Sequence, residues 1–108
     1  MVYTIDQIKA IVTPIAEKYH LPAIYLFGSY ARGTATDGSD IDLLVDTTGT
    51  DLTSLFRLGA LYHDLEEALG KKLDLLTLNS LEGPCHRESD VYFREQVNKE
   101  RRQIYAVA

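Results

Sequence analysis

Two short apolar runs joined by a polar loop constrain this chain more than anything else in it. Ala23-Ile24-Tyr25-Leu26-Phe27 stands between Pro22 and Gly28 and reads as a buried strand. Gly28-Ser29 follows at once, and after ten intervening residues comes Asp40-Ile41-Asp42. Ile41 to Val45 then reads as a second strand with a carboxylate set into it. Lys72 to Leu78 reads as a third, and Asp74 repeats the anomaly there. Asp is disfavoured in strands, so carboxylates inside otherwise apolar strands need a reason.

Helical patterns separate these strands. Thr4-Ile5-Asp6-Gln7 is a capping box, and Ile5, Ile8, Val12, Ile15 and Tyr19 recur at helical spacing. Pro14 predicts a kink or a restart in that helix, and His20-Leu21-Pro22 ends it. Ser29 to Arg32 forms a short helix and Thr34 to Gly38 a polar loop. Asp51 is expected to cap a long helix with Leu52, Leu55, Phe56, Tyr62, Leu65 and Leu69 on one face, ended by Gly70. Residues 79–86 read as a linker and Arg87 to Tyr105 as a charged C-terminal helix. This order defines an α/β (α+β) fold in which a small sheet packs against helices. One domain spans residues 1–108, with a core of about 4–78 and a linker and helix over 79–108.

The interrupted strands can carry chemistry. A helix opening after Gly28 presents unpaired backbone N–H groups and a positive dipole end, which suit an anion. Gly28 permits close approach, Ser29 adds a hydroxyl, and Arg32 can reach a phosphate oxygen or brace the loop. A plain strand-to-helix turn with Ser29 as N-cap also fits those residues. Asp40 and Asp42, at i and i+2, project from one face, with Cα atoms roughly 6.6 Å apart. They can converge on a divalent cation, or on a pair of cations about 3.5–4 Å apart. If the second and third strands pair, Asp74 joins them. The alternative is that Asp40 caps a turn while Asp42 and Asp74 are solvated edge residues. Asp46 lies about 13 Å beyond Asp42 and reads as a strand-end residue.

Other residues give weaker signals. His20, His63 and His86 show no metal-ligand spacing. Tyr62 and Tyr92 read as core. The run from Arg94 to Arg102 alternates with Glu95 and Glu100 and reads as a solvated helix face.

Composition narrows the function classes. Sixteen acidic against eleven basic residues leave a net charge of −5, which disfavours direct nucleic-acid binding and suits a site that recruits cations. No apolar run approaches the roughly 20 residues of a membrane span. The start of the chain lacks the pattern of a signal peptide, and Cys85 is a lone cysteine. A cytoplasmic location is expected.

Gly28-Ser29 and Asp40-Ile41-Asp42 at this spacing match the signature of polymerase-beta-type nucleotidyltransferases. The fuller strings, Leu26 to Gly33 and Ser39 to Val45, closely resemble the minimal nucleotidyltransferases (MNT) that pair with HEPN-domain toxins in type VII-like toxin–antitoxin modules. The resemblance covers roughly residues 22–78. It implies that Gly28 and Ser29 hold triphosphate oxygens and that Asp40 and Asp42 ligate two Mg²⁺ ions. It also implies that Asp74 ligates one metal and helps deprotonate the attacking hydroxyl, with ATP as substrate. About thirty residues beyond this core, a helix's worth, leave little room for an acceptor pocket. The resemblance therefore implies that a HEPN ribonuclease toxin presents the acceptor, a tyrosine that receives AMP. A hetero-oligomer with the toxin, or a homodimer, would suit such a chain. The alternatives are an antitoxin that merely occludes its toxin, or transfer to a small molecule.

Overall fold

The computed structural model describes residues 2–52, 54–82 and 87–107. Along the chain come α1 (Ile5–Lys18), β1 (Ala23–Phe27), α2 (Gly28–Arg32), β2 (Ile41–Asp46) and α3 (Leu55–Leu69). β3 (Leu73–Thr77), α4 (Leu78–Glu82), α5 (Glu88–Glu100) and β4 (Arg102–Ala106) complete it. The strands form one mixed sheet in the order β3-β2-β1-β4. β1 runs antiparallel to both β2 and β4, while β2 and β3 are parallel, with α3 in the crossover between them. Among the described residues no helix is long and apolar enough to cross a membrane.

Strand alternation sends residues to two cores. Ile41, Leu43 and Val45 of β2 join Ile24, Leu26 and Leu73 under α1 and α3. The opposite face carries Phe27 and Leu44, which pack with Leu81 of α4 and Val97 of α5. Asp42 and Asp74 alternate with the first set and therefore belong to the second face.

α1 opens on the expected capping box: Gln7 N–H donates to Thr4 Oγ1 at 3.1 Å, and Thr4 N–H donates to Gln7 Oε1 at 2.8 Å. The helix runs through Pro14 without restarting. α3 is capped by Ser54, whose hydroxyl accepts from Phe56 N–H, and not by Asp51. Leu61, Leu65 and Leu69 bury as expected, but Leu55 and Phe56 are 86% and 85% exposed. Leu55 lies on the buried row, so the first turn of α3 overhangs the layer it packs on. Phe56 lies on the row of Gly59 and His63, away from the core. Gly70, at φ +64°, ends the helix.

The C-terminal third departs furthest from expectation. Leu78–Glu82 is a helix rather than linker, and it buries Leu81. Gly83, Pro84, Cys85 and His86 lie outside the described residues. The charged helix stops at Glu100, and Arg102–Ala106 turns back as β4. Ile104 is 3% exposed and sits in the main core. β4 satisfies the outer edge of β1, which would otherwise offer an open ladder. Ile104→Ala should therefore cost about 2–4 kcal/mol in urea unfolding. A loss below about 0.5 kcal/mol, the size of an ordinary surface change, would mean that β4 is not part of the core.

Candidate active site

At the end of β1 the chain turns sharply through Gly28, at φ +73°, into α2. Phe27 is the N-cap and no side chain caps the helix. Ser29 thus lies inside the first turn, half-buried, and the plain-cap alternative does not hold. Gly28 is required for a reason beyond its backbone angle. A Cβ there would overlap the Asp42 carboxylate, with Oδ2 the nearest atom. The missing side chain is what lets that carboxylate lie against the turn.

Register brings the strand carboxylates together. Asp42 pairs with Phe27 across β1 and with Asp74 across β3. The two carboxyl groups are in hydrogen-bonding contact, and the half-buried Asp42 is pushed up to about 7 from its ordinary 3.8. Burial is the largest cause, followed by the hydrogen bond and charge of Asp74 and then the charge of Asp40; Arg32 acts in the opposite direction. Asp40 sits just ahead of β2 and acts on Asp42 through its charge alone. Among the described residues no three metal-binding side chains are gathered around one point; Asp74 is in contact with Asp42, and Asp40 is near enough to act on it by charge. Tyr62, read from the sequence as core, braces this corner: its hydroxyl donates to Leu73 C=O at 2.9 Å, next to Asp74.

Carboxylate oxygens are hard donors of the kind Mg²⁺ takes. Two carboxylates in contact, one half-buried and one exposed, repel each other unless a proton or a divalent cation neutralises them. The residues present therefore fit such a cation.

Arg32 has an acidic partner. Its guanidinium pairs with Glu100 of α5 at 2.9 Å. Arg101 stacks over the Tyr25 ring at 4.8 Å. The charged run that read as a solvated face thus pins α5 to α2 and β1. A cavity of about 430 Å³ opens between them, lined by Gly28, Arg32 and Asp42 and by Tyr92, Gln96 and Glu100 of α5. Tyr92 is 65% exposed and not core. A smaller cavity, about 180 Å³, touches both Asp42 and Asp74 beside Leu76. Phe93 lines both cavities and meets Phe27 edge-on, with centroids 6.3 Å apart. The α5 residues escaped sequence reading; the signal available was the four-residue spacing of Tyr92, Gln96 and Glu100. The described histidines stay outside: His20 follows α1 at φ 57°, and His63 pairs with Glu67 on the exposed face of α3.

A strand-turn-helix with a glycine against an in-register carboxylate pair is an arrangement suited to nucleotidyl transfer, and comparison with known proteins gives the family. The chain belongs to the nucleotidyltransferase-domain family, which matches it over residues 8–105. It is an enzyme of that family, and the resemblance to the minimal nucleotidyltransferases is borne out. The protein adenylyltransferase MntA of Thermococcus cleftensis is 37% identical over 82 residues, 72% of this chain and 81% of its own length. The Methanocaldococcus jannaschii protein MJ1379, a candidate protein adenylyltransferase by name, is 38% identical over 90 residues, 80% of this chain and 90% of its own. A crystal structure of a toxin–antitoxin with AMP-PNP superposes with a TM-score of 0.68 at 26% identity, covering 92% of this chain and 73% of that one. A structure described as a candidate minimal nucleotidyltransferase gives 0.65 at 27% identity, covering 92% and 94%.

Proposed function

We propose that this chain is the antitoxin of a toxin–antitoxin module and acts as a Mg²⁺-dependent protein adenylyltransferase. It transfers AMP from ATP to a tyrosine of a cognate HEPN ribonuclease toxin. The observation that carries the reading is the Asp42–Asp74 pair, in register and in contact beside the Gly28 turn. Relatives named as protein adenylyltransferases and a similar toxin–antitoxin structure with AMP-PNP support the partner and the nucleotide.

In this reading Gly28, Ser29 and Arg32 hold the β- and γ-phosphates, and Asp40, Asp42 and Asp74 hold Mg²⁺. The bound cations would neutralise charge on the attacking and leaving oxygens. Asp74 is the most exposed of the three carboxylates and accepts the proton of the acceptor hydroxyl. The hydroxyl oxygen bonds to the α-phosphorus, the bond to the oxygen bridging α and β breaks, and pyrophosphate leaves. The rigid sheet contributes mainly by fixing the orientation of these groups. The bulky, negatively charged AMP left on the toxin blocks an RNA-cleaving site by charge and size.

Labelled ATP gives the test. With the toxin as acceptor, label at the α-phosphorus is expected on the toxin and label at the γ-phosphorus in released pyrophosphate. Label from the γ position on the toxin would make the protein a kinase and end this reading.

A further inference from the structure

The larger cavity has two unlike ends. Arg32 is the one cation among the described residues that line it, and it marks the end suited to phosphate. The far wall belongs to α5, whose Tyr92, Gln96 and Glu100 recur at four-residue spacing and so share one helix face. At the usual rise they cover about 12 Å, the reach of a nucleoside from its phosphates. Glu100 lies at the Arg32 end of that row, because the two form an ion pair. Tyr92 lies at the other.

Nothing in the packing of α5 accounts for Tyr92. Val97 is the one residue the helix buries, and the second core is completed without the Tyr92 ring. Its neighbour Phe93 is held edge-on by Phe27, whereas Tyr92 lines the cavity and leaves most of its surface open. An exposed ring, with a half-buried amide one turn nearer Arg32, is the equipment of a base platform. Aromatic faces stack any base, and a Gln amide can bond the donor–acceptor edge of adenine.

We propose that this face of α5 is the nucleoside subsite of the enzyme: the base stacks on Tyr92, and Gln96 meets its polar edge. The inference rests on the reading of the chain as an ATP-dependent transferase and adds where the nucleoside lies. It makes the segment beyond the sequence motif a working part of the site.

Calorimetric titration of the full chain in Mg²⁺ tests it, with AMP-PNP as one probe and inorganic tripolyphosphate, which has no nucleoside, as the other. Tyr92→Ala is expected to weaken AMP-PNP binding about tenfold and to leave tripolyphosphate unchanged. Tyr92→Phe is expected to restore most of the loss, and Arg32→Ala to weaken both probes. Wild-type affinity for AMP-PNP in Tyr92→Ala, or an equal loss for both probes, would overturn the subsite. So would a variant that binds AMP-PNP normally but no longer retains the toxin, because the ring would then be a protein contact. A wild-type chain that binds neither probe would overturn the ATP-dependent reading together with the subsite.

Discussion

Replacing Asp42 by Asn is expected to abolish transfer and, at the same time, to stabilise the metal-free protein. The catalytic loss follows from removing a carboxylate that holds the cation, and should reach about 10³-fold. The gain in stability follows from the environment of Asp42. Its folded value, about 7, lies above the ordinary 3.8 because burial and the neighbouring carboxylates oppose its ionisation. Below about pH 4 the group is protonated whether the chain is folded or not, and it costs nothing. Between about pH 4 and 7 the unfolded chain ionises the group while the folded state holds its proton, so stability falls across that window and levels off above it. Asn cannot ionise, so the variant should match wild type near pH 3 and exceed it at pH 8. Allowing for solvent screening of a half-buried group, the difference at pH 8 should be about 1–2 kcal/mol. That corresponds to a rise in Tm of roughly 4–10 °C. Mg²⁺ should raise the Tm of the wild type and not that of the variant. Urea unfolding of the metal-free wild type that shows stability climbing from pH 5 to 8 would contradict this.

Gly28→Ala should be the most damaging single methyl in the chain. The backbone there has φ +73°, and the new Cβ would meet the Asp42 carboxylate. Left-handed strain and overlap together should cost about 2–3 kcal/mol. Transfer should fall about 10²-fold as the carboxylate is displaced. Gly49→Ala separates the two causes, because Gly49 has φ +76° but nothing within 4 Å of its would-be Cβ. It should show the strain alone, about 1 kcal/mol, with transfer intact. Equal loss of transfer in both variants would remove the special role assigned to the Gly28–Asp42 contact.

Much of this was readable because the informative residues contradict their surroundings. Carboxylates at Asp42 and Asp74 stand out inside apolar strands. Pro22 and Gly28 bracket β1 so tightly that the structure places it on the residues expected. What escaped was decided by tertiary contact. Arg102 to Ala106 carries one buried residue, Ile104, after a strongly charged helix, too short a run to announce a strand. Leu55 lies on the buried row of α3, yet no layer extends far enough to cover it, and Phe56 lies on the outward row. Ser54 and Asp51 are both preferred caps, and only the path of the chain chose Ser54. In the candidate site, Gly28 read as room for a phosphate, but its partner Asp42 comes from a different strand and no local pattern reveals it. The α5 wall was hidden for the same reason, since the Arg32–Glu100 pair joins residues far apart in sequence.

The measurement that bears most directly on the proposed activity is the intact mass of the cognate toxin after incubation with this protein, ATP and Mg²⁺, with Asp42→Asn in parallel. A gain of one or more AMP units, absent with the variant and absent after chelation of the metal, is the expected result. An unmodified toxin that is nonetheless silenced equally well by wild type and variant would contradict catalysis and leave occlusion as the mechanism.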